Sequence, residues 1–299
     1  MQFKRLKRPV NGVLLLDKPA GISSNQALQK AKYLFMAAKA GHTGSLDPFA
    51  TGLLPLCFGE ATKFSHTLLD ADKTYAATLR LGATSTTGDT EGEITQLAEI
   101  AVAAADIARI TPQFLGEISQ VPPMHSALKH HGKALYEYAR AGVEIERAAR
   151  QVTIHELTVT NFEMPHLAIE VTCSKGTYIR TLAEDIGRVL GCGAYLTALR
   201  RLKAGSFDLV RAVTLEQLES LTLEQRDALL LAPDSLLAGL PQAELDDDSA
   251  FYFCRGQSIW LPGQHALGEI RLYDANRRFL GLGEVMPDGK IAPKRLLQR

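Results

Sequence analysis

Two alternating stretches, QVTIHELTVTNFEM (151–164) and HLAIEVTCSKG (166–176), follow one another closely and read as a strand pair. In the second, Leu167, Ile169, Val171 and Cys173 share one face. KTYAATLRLGA (73–83) has the same period, with Tyr75, Ala77, Leu79 and Leu81 on one side and Thr74, Ala76, Thr78 and Arg80 on the other. Successive side chains of a strand point to opposite faces, so each segment is half-buried and needs something to pack against.

Other elements follow from periodicity and capping. Residues 9–16 read as a further strand. Ser23 or Ser24 caps a helix that runs to about residue 37, with Ala27, Leu28, Ala31, Leu34 and Phe35 on one stripe. LAEIAVAAADIARI (97–110) reads as a helix ended by Thr111-Pro112. TYIRTLAEDIGRVLGCGA (177–194) turns into a helix that Thr181 caps; Glu184 and Asp185 suit its first turn and Gly191 its end. TGDTEGEI is a turn-rich loop in which Asp89 and Glu91 read as turn residues. Residues 214–238 are helical and acidic, and LPQAELDDDSA marks a domain boundary near residue 246. Beyond about residue 250, short β-like pieces separated by Pro-Gly, Asp-Ala-Asn and Pro-Asp-Gly turns predict a small β-barrel.

Composition excludes several classes. The 299 residues are 46% hydrophobic, enough for one large domain or a large and a small one. No apolar run approaches the roughly 18 residues of a membrane span. The N-terminus is basic and then apolar, but the run is only VLLL, it stops at Asp17-Lys18-Pro19, and no small-residue cleavage site follows. It reads as an ordered strand of a cytosolic protein. Cys57, Cys173, Cys192 and Cys254 are widely separated, with no CxxC pair and no HExxH, so neither a zinc site nor a disulfide framework is suggested.

Net charge is zero, yet its distribution is uneven. Residues 212–250 hold nine acids and one base; the rest of the chain has 32 basic and 24 acidic residues. Basic clusters recur at Lys4-Arg5-Lys7-Arg8, Lys129 to Lys133, Arg200-Arg201-Lys203, Arg277-Arg278 and Lys294-Arg295. Such a segregated field suits a polyanion, although any one cluster taken alone reads as an ordinary solvated face rather than a contact.

The stretch GHTGSLDPFATGLLPLCFGEATKF (41–64) places one carboxylate, Asp47, among glycines, small hydroxyls and a histidine. Asp before Pro also caps short helices, so a structural role is open. Gly41, Gly44 and Gly52 suggest unusual backbone angles or close approach of a ligand backbone. The loop lacks the GxxxxGK[ST] and GxSxG patterns, which removes a phosphate loop and a serine nucleophile. In CSKGTYIRTLAEDIG, Arg180 is either a surface arginine or one brought to a site edge to pair with a carboxylate, and Tyr178 offers an aromatic face.

Taken together and in order, these segments resemble the TruB family of pseudouridine synthases. The resemblance runs from GVLLLDKPAGISSNQAL through GHTGSLDPFATGLLPLCFGEATKF, KTYAATLRLGATSTTGDTEGE, QVPPMHSALKHHGKALYEYARAG and CSKGTYIRTLAEDIG to AYLTALRRLKAGSF, most of residues 10–210. His125 departs from it, since the family more often shows an aromatic there. The tail resembles the PUA RNA-binding domain. The resemblance implies an α+β pseudouridine-synthase fold, with a mixed, largely antiparallel sheet and flanking helices. It implies a catalytic domain over 1–245, with a thumb-like insertion at about 122–150, and a PUA-like domain over 246–299. It also implies the activity: isomerisation of a T-loop uridine of tRNA to pseudouridine, after the base is flipped into a pocket containing Asp47.

By the same resemblance Asp47, Tyr75 and Arg180 are catalytic, and His42, Tyr178, Leu199, Lys18, Gly44 and Lys129 bind substrate. Asp47 matches the catalytic aspartate, which either attacks a carbon of the nucleoside or takes a proton from the sugar. An adjacent guanidinium favours the charged form, so Asp47 is expected to stay ionised. Tyr75 would stack on the target base and help remove the C5 proton. Tyr178 and Leu199 would hold the uracil, and His42 would fill the vacated space. The isomerisation has no redox change and no entering group, so no metal or other cofactor is expected. The partner is the tRNA T-arm, and a cytoplasmic monomer is expected. Two other classes compete. A pure RNA-binding or RNA-folding protein would leave Asp47 and Arg180 unused. An Asp-based glycoside hydrolase would normally need two carboxylates flanking the bond.

Overall fold

The structure, a computed structural model, describes residues 7–97, 101–261, 263 and 266–298. Among these, nine strands form one mixed sheet. Its order is Gly12–Lys18, Thr51–Phe58, Ala194–Ala204, Lys73–Leu81, His166–Cys173, Arg150–Glu163, Gly116–Gln120, with short strands Ala40–His42 and Phe207–Asp208 alongside. Every pairing in it is antiparallel except Thr51–Phe58 with Ala194–Ala204, where Arg200 faces Thr51 and Arg201 faces Gly52.

The alternation places residues as expected. Tyr75, Ala77, Leu79 and Leu81 are buried, and so are Leu167, Ile169, Val171 and Cys173. They form one core with Ile179, Leu182, Ala183 and Ile186 of helix Ile179–Val189. The first strand is Gly12–Lys18, shifted toward the C-terminus of 9–16, because its register is set by seven residue pairs with Thr51–Phe58. Helix Ser24–Leu34 has Ser23 as its cap in a capping box with Gln26. It covers one face of the first two strands through Ala27, Leu28, Ala31 and Phe35.

Three local expectations are corrected. Thr181 is not a cap: helix Ile179–Val189 starts after extended Tyr178, which leaves Glu184 and Asp185 beyond the first turn. Gly191 does follow the helix end, at φ +75. The helix expected over 97–110 is Ala104–Ile110; residues 98–100 of it lie outside the described residues. Residues 214–238 are not one helix but the short helices Leu215–Ser220 and Leu223–Ala228 followed by a 3-10 turn, Pro233–Leu237. Lys4 and Arg5 of the N-terminal basic cluster also lie outside the described residues.

The C-terminal strands form a second, five-stranded sheet, ordered Gln242–Glu244, Gly268–Tyr273, Phe279–Val285, Lys290–Leu296, Ile259–Trp260. Among the described residues its two end strands do not pair, so the small β-barrel expected is an open half-barrel. It seats firmly on the large sheet. Phe64 packs against Phe279 with ring centroids 5.6 Å apart. Leu282 shares a core with Phe64, Leu236 and Leu237. Lys63 donates to the Leu296 carbonyl at 2.8 Å, and the Tyr273 hydroxyl donates to Asp234 at 2.7 Å.

Helix Ile179–Val189 lies so close to the sheet that a Cβ on Gly187 would sit 2.2 Å from the Ala194 nitrogen. Gly187→Ala therefore drives helix and strand apart, and overpacking of this kind costs about 1–3 kcal/mol. The expected result is a lower urea midpoint with an unchanged m-value.

Candidate active site

The loop 43–50 enters the sheet between Ala40–His42 and Thr51–Phe58, and buried polar groups hold it from three sides. The Ser24 hydroxyl donates to the Leu46 carbonyl at 3.0 Å and accepts from the Leu46 N–H at 2.7 Å. The Lys18 ammonium donates to the carbonyls of Ile22, Pro19 and Pro48 at 2.7, 2.9 and 3.3 Å. Arg201 donates from Nε to the Leu53 carbonyl at 2.7 Å and from Nη2 to the Gly44 carbonyl at 3.1 Å.

No helix follows Asp47. The Ala50 N–H meets the Asp47 carbonyl at 3.1 Å in a turn, so the capping role is not realised. The glycines also serve the chain itself. Gly52 has φ +101, and a Cβ there would lie 2.3 Å from the Arg201 carbonyl oxygen. The parallel strand contact demands this glycine, not a ligand backbone. Gly44, at φ +123, has room around it but an angle that favours glycine, whereas Gly41 has neither constraint.

The Asp47 side chain is 36% exposed, and its Oδ2 lies 3.1 Å from Nε of Arg180, whose side chain is 6% exposed. The rest of the guanidinium is committed inward. Nη1 lies 3.3 Å from Asp89 Oδ2 and donates to the Thr87 carbonyl at 3.0 Å. Nη2 donates to the His125 carbonyl at 2.6 Å. Asp89 escapes a reading of the sequence as a partner for arginine. It does act as a turn residue, accepting from the Glu91 N–H at 2.9 Å and the Thr87 hydroxyl at 2.6 Å. That satisfying local explanation conceals the long-range one.

Burial raises the Asp47 pKa above its ordinary carboxylate value; Arg180 opposes this and Asp89 reinforces it. The guanidinium therefore does not cancel the effect of burial, and ionising Asp47 costs more than ionising an exposed aspartate. Burial also pushes the phenols of Tyr75 and Tyr178 upward. Burial and a nearby arginine lower the imidazoles of His42 (Arg201) and His125 (Arg180). Lys18 is lowered by burial to about 8.

Tyr75 and Leu199 sit in one core with Leu46 and Ala50, which flank Asp47. Tyr178 immediately precedes the helix that carries Arg180. His42 ends a strand beside the loop, and its Nδ1 is buried without a partner. Lys18 is corrected as a substrate contact: it is fully buried and its three donors are matched by three carbonyls. Lys129 is exposed on the two-residue strand Lys129–His130, within the 122–150 segment. Two cavities flank the site. One of about 440 Å³ is lined by Thr87, His125, Thr181 and Glu184, and one of about 300 Å³ by Phe49, Ala77, Leu199 and Arg200. Asp47 lines neither and is reached from open solvent. Among the described residues no group of three or more His, Cys, Asp or Glu side chains converges as metal ligands would.

Lys18→Met would leave the part-buried carbonyls of Pro19 and Ile22 without this donor, while Pro48 keeps the Gly21 N–H at 2.9 Å. Each unmatched buried group costs about 1–3 kcal/mol, less whatever water recovers. The expected outcome is a clear fall in thermal midpoint, with amide exchange fastest near Ile22 and Pro48.

Comparison with known proteins agrees along the whole chain. Residues 32–179 match the family model described as TruB family pseudouridylate synthase, N-terminal domain. Residues 180–238 match the tRNA pseudouridylate synthase B C-terminal domain, and 241–297 match the model described as pseudouridine synthase II TruB, C-terminal. Proteins named tRNA pseudouridine synthase B are 58% identical in Methylobacillus flagellatus, covering 100% of this chain and 99% of the relative, and 56% in Nitrosospira multiformis, covering 98% and 97%. Among solved structures, a Cbf5–Nop10–Gar1 complex gives a TM-score of 0.70 at 26% identity, covering 92% of this chain and 78% of that one. An H/ACA ribonucleoprotein bound to a substrate RNA gives 0.72 at 23%, covering 96% and 85%, a likeness of fold. The chain belongs to the TruB family of pseudouridine synthases.

Proposed function

We propose that this chain is a tRNA pseudouridine synthase that isomerises the T-loop uridine at position 55, with Asp47 as the reacting group. The observation that carries the reading is an accessible carboxylate held at 3.1 Å by a buried arginine. In the reaction the N1–C1′ bond breaks, the uracil turns, C5 bonds to C1′, and the C5 proton leaves. Asp47 either attacks a carbon of the nucleoside or takes a proton from the sugar, and both routes need its ionised form.

A stacked uridine must leave its loop to reach Asp47. His42 takes the vacated space. Tyr75 stacks on the uracil and helps remove the C5 proton. Base stacking of this type contributes about 1–3 kcal/mol. Tyr178 and Leu199 hold the base. Lys129 and the rest of the thumb-like segment meet the T-arm, and the C-terminal half-barrel grips a more distant part of the tRNA. Because the strand Gln242–Glu244 belongs to the C-terminal sheet, the boundary expected at 246 moves to about residue 241, with the catalytic domain before it and the PUA-like domain after it. On this reading the protein works in the cytoplasm as a monomer and needs neither metal nor other cofactor.

Asp89 is a second carboxylate near the first, which reopens the hydrolase reading only briefly. Its side chain is 2% exposed and its oxygens are already committed to Arg180, Thr87 and Glu91, so it cannot flank a substrate bond.

Tritium release from tRNA labelled at C5 of uridine tests the proposal. Asp47→Asn is expected to lower turnover by at least the roughly 10²–10⁴-fold attributed to positioned acid–base groups, with tRNA affinity changed little. Equal loss of binding and turnover would favour a protein that only binds RNA. The pH dependence has a definite sign. The acid is active when ionised and its pKa is raised, so kcat/KM falls as pH drops through a value above the ordinary 3.8. A kcat/KM profile flat down to pH 4 would contradict this.

A further inference from the structure

Gln120 ends the strand Gly116–Gln120, is 2% exposed, and touches neither Asp47 nor Arg180 in any hydrogen bond. Its carboxamide instead pairs with the main chain of Tyr178. Oε1 accepts from the Tyr178 N–H at 3.0 Å, and Nε2 donates to the Tyr178 carbonyl at 3.3 Å. This copies one rung of a sheet with a side chain, as a carboxamide can, since it carries donor and acceptor in one plane. Tyr178 is the extended residue from which helix Ile179–Val189 starts, and no side chain of its own caps that start. The same carbonyl of Tyr178 accepts the helix's first backbone bond, from the Leu182 N–H at 3.0 Å.

Two residues into that helix stands Arg180. Five residues after Gln120 stands His125, whose carbonyl accepts from Arg180 Nη2 at 2.6 Å. Segment 120–125 thus touches the arginine's surroundings at both ends, with Pro122-Pro123 fixing the chain between. One end sets where the helix begins, and the other sets where the guanidinium points.

We propose that Gln120 is a positioning residue for the Asp47–Arg180 pair: its bonds to Tyr178 hold the helix start where the guanidinium reaches Asp47. The inference rests on the reading of Asp47 as the reacting group. A displacement of about 1 Å at a reacting pair can cost on the order of 10²-fold in rate.

The test uses the full-length protein and C5-tritiated tRNA. Gln120→Leu removes both bonds, and Gln120→Met removes them too while keeping the side chain's length and adding no charge. Both variants are expected to lower kcat about 10- to 100-fold while KM for tRNA moves less than about threefold. They are also expected to shift the acid limb of kcat/KM to higher pH, because Asp47 loses part of its guanidinium while Asp89, Lys18 and His125 stay in place. A merely structural role would reduce the folded fraction and leave that limb where it is. If Gln120→Leu does not fold, Gln120→Met carries the same readout. Wild-type turnover with an inactive Asp47→Asn, but with kcat and limb unchanged in the Gln120 variants, overturns the inference alone. Turnover retained by Asp47→Asn overturns the reading beneath it.

Discussion

A guanidinium with almost no exposed surface joins three loops at Arg180. A buried charge is tolerated only when it is paired and fully hydrogen-bonded, and here two carboxylates and two carbonyls meet that demand. The group of Asp47, Arg180 and Asp89 carries one cation and two anions. Asp89 is buried, so the unmatched negative charge falls at the solvent end, on Asp47. The same arrangement explains why burial and Asp89 together outweigh the arginine in setting the acid's pKa. Ionised Asp47 is costly to the fold, as expected of a group kept for reaction rather than for stability.

Around that centre, cations work as internal fasteners. Lys18 and Arg201 secure backbone carbonyls near Asp47. Arg200 pairs with Asp17 at 2.6 Å, Arg8 pairs with Asp227, and Lys294 bridges Glu269 and Glu284. Several basic clusters that look in sequence like a surface for RNA are therefore partly engaged within the protein. The acidic stretch that unbalances the sequence supplies some of the partners, Asp227 among them. The surplus of positive charge outside 212–250 overstates the field that a nucleic acid would meet.

Period-two alternation identified the faces of Lys73–Leu81 and His166–Cys173, because burial on one side of a sheet leaves a local trace. Ser23 was legible as a cap for the same reason: its partner is three residues away. The nearness of Asp47 to Arg180 came from resemblance, since they lie far apart in sequence. Asp89, Lys18 and Arg201 were missed or misread because their partners are remote: Arg180 lies in another element from Asp89, and Arg201 reaches back to Gly44 across the parallel strand contact. A charged side chain in a sequence looks like surface or ligand. Whether carbonyls wait for it in the interior is decided only by the closed fold.

The way the half-barrel rests on Phe64, Leu236 and Leu237 makes it the roof of an interior that begins in the other domain. Severing the chain near residue 245 would strip that roof away and leave those side chains facing water. What sequence presents as an appended module is, in its packing, an organ of the whole.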